Sequence, residues 1–320
     1  MRNFLRFLAA ATALPAASLG GCLAGPSGSD DPVIDPIDDG ELGLPPSAYY
    51  TLTAADLRDE AWPAAWTEYD VFVCTAFLPE FRVAQAKADR PDAIFLAYTA
   101  VADMYPGSPE NPYWEAFHAV FDSSRYVRDL TTDTVVRLYG ADGTPGSGHP
   151  YFVMQKEHAD ILVAFHRDVT LAAGFHGLYL DNCNAETPQW RLDRLREISL
   201  LVDIDADGFA DPIEDIPDVY ATWRPYYTEQ LRAAVGPSVL LVANSGGGLD
   251  DAALNGITLE GVGDRFEVAD AYAFFGSQRD VGVAPFVGVA WVTTHASDLP
   301  TRNLLPSIEG LRYGFVEGKL

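Results

Sequence analysis

Basic residues are scarce in this chain. Its 21 Lys and Arg stand against 46 Asp and Glu, giving a formal net charge of −25 and a pI near 4.3. A surface of that sign repels phosphate backbones and argues against nucleic acid as a partner. Cysteine is scarce too, with three residues in all, and only Cys74 and Cys183 fall in the part expected to fold. Neither count nor spacing calls for a disulfide, so two buried thiols are expected. No Gly-x-Gly-x-x-Gly joins a strand to a helix, which weakens a nucleotide-binding reading. The Gly-x-Ser-x-Gly elbow is also missing, and Ser245-Gly246-Gly247-Gly248 does not replace it. The six histidines show no zinc-like spacing.

The apolar run over residues 7–17 is too short to span a membrane. It follows Arg2 and Arg6 and precedes Leu19-Gly20-Gly21-Cys22, which resembles a bacterial lipobox. The pattern implies a signal peptide over residues 1–21 and a lipidated Cys22 as the mature N-terminus. Leu23 follows, and no aspartate there signals inner-membrane retention, so the expected address is the outer membrane or cell surface. Lipid would be the only membrane contact. Residues 22–45 carry Asp30, Asp31, Asp35, Asp38, Asp39 and Glu41 without a basic neighbour, and read as a self-repelling tether.

Hydrophobic residues make up 48% of the chain, and residues 46–320 are expected to form one domain. Short apolar runs alternate there with helical spacing. Strands are expected at 70–75, at 93–98, at 135–138 or 151–154, at 177–180, at 239–243, at 257–260 and at 285–292. Helices are expected over 79–89, 111–122, 157–172, 217–235 and about 303–318. Continuous apolar strands joined by helices indicate a parallel sheet covered on its outer face. Seven such units favour an α/β fold of the (β/α)8 TIM type, with either an earlier segment as the eighth strand or an open or incomplete C-terminal end.

Gly-Leu-Tyr-Leu-Asp-Asn, residues 177–182, is the most informative stretch. It reads as a buried strand that emerges on a carboxylate, Asp181, where barrel folds keep their chemistry. Gly256-Ile257-Thr258-Leu259 repeats the design and ends on Glu260. With these acids ending the fourth and sixth strands, the pair meets the minimum for glycosidic cleavage: one acid for the leaving oxygen, one carboxylate to attack or activate water. Asp181 is assigned as nucleophile or base and Glu260 as acid, with the reverse left open. Asn182 and Asn244 offer amides to sugar hydroxyls. Thr75, Tyr98 and Arg137 lie near strand ends, and Trp291 is either a stacking platform or a core residue.

Asp203-x-Asp205-x-Asp207-Gly208-x-x-Asp211-x-x-Glu214 has the spacing of a calcium loop. Carboxylates of Asp203, Asp205, Asp207, Asp211 and Glu214, with the Phe209 carbonyl, would surround one Ca2+. Pro212 departs from a helix-flanked EF-hand. The expected role is structural, pinning the loop after the fourth strand.

The segments 69–73, 91–98, 175–182 and 255–260 together resemble TIM-barrel glycoside hydrolases of the glycosyl-hydrolase-like families related to the endo-α-1,4-polygalactosaminidases. The resemblance spans residues 65–318. It implies a barrel, a polysaccharide or oligosaccharide substrate, and the strand-four and strand-six acids as catalytic candidates. The competing expectation is a non-catalytic carbohydrate-binding or scaffold lipoprotein that keeps the barrel and the calcium site.

Overall fold

In the computed structural model, every strand of the main sheet pairs with the strand that follows it in the chain. The structure describes residues 48–50, 71–78, 80–103, 107, 110–137, 149–187, 189–198, 201–245, 249–262, 268–293 and 311–317. The expected signal peptide, Cys22 and the acidic tether lie outside these residues. The sheet runs β1 (Ala48–Tyr50), β2 (Val71–Thr75), β3 (Ile94–Ala100), β4 (Gly177–Asp181), β5 (Leu240–Asn244), β6 (Gly256–Val262), β7 (Val287–Thr293) and β8 (Leu311–Glu317). Successive pairs from β1 to β7 are parallel, and β8 is antiparallel to β7. Strand order never reverses, unlike the switch point of a doubly wound sheet. The edge strands β1 and β8 approach within 8 Å at their Cα atoms. The sheet is therefore curled, a partial TIM-like barrel.

Both faces of the strands are apolar, as the continuous runs require. One face gathers Val71, Val73, Leu96, Tyr179, Leu240, Val242, Val287 and Val289 into a single buried cluster. Each fully buried Val or Leu contributes about 1.5–3 kcal/mol relative to exposure. The alternate residues face the helical layer, and there Phe72 and Phe95 stack at 4.9 Å. Gly177 and Gly256 occupy the base of the cluster face. A Cβ at Gly177 would stand 2.0 Å from the Leu240 carbonyl oxygen, and one at Gly256 would stand 1.6 Å from that of Val287. Only glycine allows the neighbouring strand so close.

The helices are α1 (Glu80–Asp89), α2 (Pro112–Val120), α3 (Lys156–Phe165), α4 (Gln189–Ile198), α5 (Ile216–Val235) and α6 (Val268–Val281). Asn111 caps α2 by accepting from the Tyr113 N–H, and Pro112 takes the first turn, where its missing N–H costs nothing. Helix α3 continues through a π turn and a 3-10 turn to Ala173, close to the expected end. It packs on α5, where Trp223 and Tyr227 stack at 5.6 Å and Tyr220, Tyr227 and Leu231 are buried.

Three expectations are corrected. Neither 135–138 nor 151–154 joins the main sheet. Thr134–Val135 instead pairs with Arg128–Asp129, which pairs with Val202–Asp203, in a small antiparallel sheet. Gly177–Asp181 pairs directly with Ile94–Ala100 instead, and the sheet gains a strand at its other edge, where Ala48–Tyr50 pairs with β2. The stretch expected as a C-terminal helix contains the strand β8, stabilised by its full ladder with β7. Pairing to a long neighbour outweighs a sequence whose period is ambiguous.

Candidate functional site

Register brings Asp181 to the C-terminal rim of the sheet. Asp181 pairs with Ala100 on β3, and Leu180 pairs with Ala243 on β5, so Asp181 stands level with Asn244. Asn244 in turn pairs with Thr258 on β6. Residues in register share a face in parallel strands, and alternate residues return to it. Position 260 is thus on the same alternation as Gly256 and Thr258, two residues nearer the rim, and pairs with Trp291 on β7, but it does not end the strand as expected, since β6 runs on to Val262. The side chains of Glu260 and Trp291 lie outside the described residues.

Neutral donors clamp the Asp181 carboxylate. Tyr98 Oη donates to Oδ2, and Asn244 Nδ2 donates to Oδ1 over 2.9 Å. The backbone N–H of Asn182 also reaches Oδ1, at 2.9 Å. The Tyr98 ring is set by stacking on Tyr179 at 6.0 Å, which aims its hydroxyl along the rim. Burial against the strand ends pushes the carboxyl above the usual aspartate value. The Tyr98 and Asn244 bonds oppose that rise, and nearby Asp103 adds to it. The result is a partly exposed carboxylate, fixed in direction and held above the usual aspartate value.

Asn182 has the left-handed conformation, φ 57°, which asparagine tolerates better than most residues. That turn closes the strand and lets its N–H face the Asp181 carboxylate. Its side chain is directed elsewhere: Nδ2 donates to Asp103 Oδ1 at 2.9 Å. Thr75 is buried at the end of β2, in register with Tyr98. Arg137 does not end a barrel strand. It forms an isolated antiparallel bridge with Pro150 in the segment between β3 and β4. The structure therefore joins Tyr98, Asp181, Asn182 and Asn244 through direct hydrogen bonds, and these bonds do not include Thr75 or Arg137. Asp103 was missed by sequence reasoning. The signal is an acid three residues beyond the end of β3, hidden because the sequence predicts an end at Tyr98 and the strand runs on to Ala100.

The acidic loop forms a second cluster. Oxygens of Asp203, Asp205 and Asp211 lie within 4.8 Å of one another, while Asp207 and Glu214 are not in that set. The loop folds around its own carboxylates. Asp203 accepts from the N–H groups of Asp207 (3.1 Å) and Gly208 (3.0 Å), and Asp211 accepts from the Ile204 N–H (2.6 Å). Phe209 donates its N–H to Asp207 Oδ1 at 2.8 Å, and its ring is 75% exposed. Ala206 and Gly208 take positive φ, 56° and 91°, which makes the sharp turn. Burial and then the repulsion of Asp205, Asp203 and Asp207 raise the Asp211 carboxyl, against the pull of the Ile204 bond. An all-oxygen donor set of this kind suits a hard cation such as Ca2+. Gln155 ties the loop to the start of α3 by donating to the Ala206 carbonyl at 3.1 Å.

No family model matches the chain, and no curated protein matches it. Among solved structures it is similar to the glycoside hydrolase domain of PelA from Pseudomonas aeruginosa, at 13% identity and TM-score 0.40 over 68% of each chain. It is also similar to a Paenibacillus sp. cycloisomaltooligosaccharide glucanotransferase, at 12% identity and TM-score 0.43 over 78% of this chain and 39% of that one. A third is the alpha-L-fucosidase isoenzyme 2 of Paenibacillus thiaminolyticus, at 16% identity and TM-score 0.36 over 61% and 30%. This chain spans well under two thirds of the last two. With every TM-score below 0.5, the site rests on the geometry of this chain alone.

Proposed function

We propose that this chain is a surface-anchored glycoside hydrolase that cleaves a polysaccharide with Asp181 and Glu260. The observation that carries the reading is the clamp on Asp181. Three neutral donors from β3, the β4 turn and β5 orient a carboxylate at the C-terminal rim without cancelling its charge. A structural acid is more often neutralised by a cation, as Asp251 is by Arg224 elsewhere in this molecule.

Both Asp181 oxygens accept hydrogen bonds, which suits the ionised partner. Asp181 is assigned to attack the anomeric carbon or to take a proton from water. Glu260 is assigned to protonate the leaving oxygen. A carboxyl separation of about 5–5.5 Å gives retention through a glycosyl-enzyme ester, and about 6.5–9.5 Å gives inversion by one water. Asn244 and Trp291 are proposed to contact sugar. Asn182 contributes through its backbone, since its amide is committed to Asp103. In the same proposal the curled sheet serves as a (β/α)8-type barrel whose last strand is antiparallel.

Ca2+ is proposed to sit among Asp203, Asp205 and Asp211, with Asp207, Glu214 and the Phe209 carbonyl completing the shell, in a structural role. Lipidation at Cys22 is proposed to hold the enzyme at the outer membrane or cell surface.

The test is a panel of extracellular and cell-wall polysaccharides, galactosaminoglycans included, incubated with the purified protein and Ca2+. Release of new reducing ends supports the hydrolase. Glycan binding without release supports the non-catalytic reading, and neither binding nor release overturns both.

A further inference from the structure

We propose that Asp103 is a positioning residue: it holds Asn182 in its left-handed turn and thereby sets the Asp181 carboxylate. This rests on the reading of Asp181 as a reacting group. Asp103 lies three residues past β3, and its side chain is 0% exposed. Its Oδ1 accepts from Asn182 Nδ2 at 2.9 Å. Asn182 is held at two further points. Its N–H donates to Asp181 Oδ1, and its carbonyl accepts from Tyr220 Oη at 2.9 Å. With φ at 57°, the turn is strained for a residue that bears a Cβ, and these three bonds hold it there. Losing the side-chain bond frees the turn to relax, and the N–H that aims Asp181 moves with it.

Asp103 is not placed to exchange protons with substrate. Its oxygens face Asn182, the buried guanidinium of Arg191 at 3.7 Å from Oδ1, and His149 Nδ1 at 3.2 Å from Oδ2. Arg191 in turn lies over the Tyr151 ring at 5.3 Å. The group is a charged girder beneath the rim, and its negative charge also acts on the neighbouring acid, helping to keep the Asp181 carboxyl raised. Asp103 therefore sets the direction of Asp181 through Asn182, and adds to a proton affinity that burial chiefly raises.

Two variants separate these effects. Asp103→Asn keeps the shape and an acceptor but removes the charge. Asn182→Gly accepts the same φ and removes only the side-chain bond. The readouts are reducing-end release from the polysaccharide panel and the titration midpoint of Asp181 by carboxyl 13C NMR, assigned by loss of its signal in Asp181→Asn. Asp103→Asn is expected to move the Asp181 midpoint to lower pH. Asn182→Gly is expected to move it to higher pH, because the Asn182 N–H that stabilises the carboxylate moves away with the relaxed turn. Asn182→Gly should lower kcat by about 10²-fold, the scale of a misplaced reacting group, with KM little changed, while Asp103→Asn, which keeps an acceptor for Asn182, is read by the midpoint. Should Asp103→Asn fail to fold, Asn182→Gly carries the test. Wild-type kcat in a folded Asn182→Gly, or an unmoved midpoint in a folded Asp103→Asn, overturns the inference. Undiminished turnover in Asp181→Asn instead overturns the reading beneath it, and the midpoint then still reports whether Asp103 acts on Asp181.

Discussion

Asn244 donates its side-chain amide to Asp181 Oδ1 across 2.9 Å, tying the end of β5 to the end of β4. Together with Tyr98 on the other oxygen, this fixes the carboxylate plane from both neighbouring strands. The bond explains why two residues 63 apart in the chain belong to one site.

Tyr98→Phe should slow turnover. A hydrogen bond to a charged group is worth about 1.5–3 kcal/mol, so kcat/KM at neutral pH should fall by about 10- to 100-fold. The sign of the pH effect is fixed. Removing a donor from the anion raises the Asp181 carboxyl further, so the limb that needs it ionised moves to higher pH. A pH–rate profile of the variant checks both.

Asp181 should also tax the fold as pH rises. Its folded carboxyl is raised above the unfolded value, chiefly by burial. The contribution of such a group is fully present below the unfolded value and is lost as pH rises through the folded one. Wild type should therefore lose stability relative to Asp181→Asn across that window. Urea unfolding of both proteins from pH 3 to pH 7 measures the difference.

The acidic loop should depend on calcium. Asp211 has a raised carboxyl as well, so without metal its contribution to stability is lost as pH climbs through its folded value. Ca2+ binds the ionised form and should restore what repulsion removes over the same range. At one hundred times its dissociation constant, a bound ion adds about 2.7 kcal/mol. Scanning calorimetry should show a higher Tm with Ca2+ at pH 7, a fall with chelator, and no response in Asp205→Asn.

A buried ion pair on α5 should be costly to break. Asp251 accepts from Arg224 and from Thr228, at 2.8 Å for the latter, and also from the Ala253 N–H at 2.8 Å. Gln278 of α6 closes the group by accepting from the Asp251 N–H and donating to its carbonyl. Asp251→Ala leaves a guanidinium with too little compensation and should cost about 3–5 kcal/mol. Urea denaturation reads that loss directly.

Much of the curled sheet was legible because its strands are buried on both faces. Leu240–Asn244 and Gly177–Asp181 read as apolar runs with a polar residue at the rim, and register then made Asp181 and Asn244 neighbours. The convergence of Asp203, Asp205 and Asp211 follows from a spacing that is local in sequence. What failed was non-local. Leu311–Glu317 mixes Arg312, Tyr313, Gly314 and Phe315 without a clean period, and only its partner β7 makes it a strand. Tyr151 and Phe152 look like a barrel strand because they are buried, yet they pack in the segment between β3 and β4. Asp103 could not be found by pattern, because its meaning lies in Asn182, 79 residues away.

Reducing-end release from the polysaccharide that wild type degrades, measured for Asp181→Asn and Glu260→Gln with circular dichroism as the check on folding, tests the account most directly. Each folded variant should lose at least about 10²–10⁴-fold in kcat, the range of an acid or base removed from its transition state. Wild-type turnover in either folded variant contradicts the two-carboxylate mechanism.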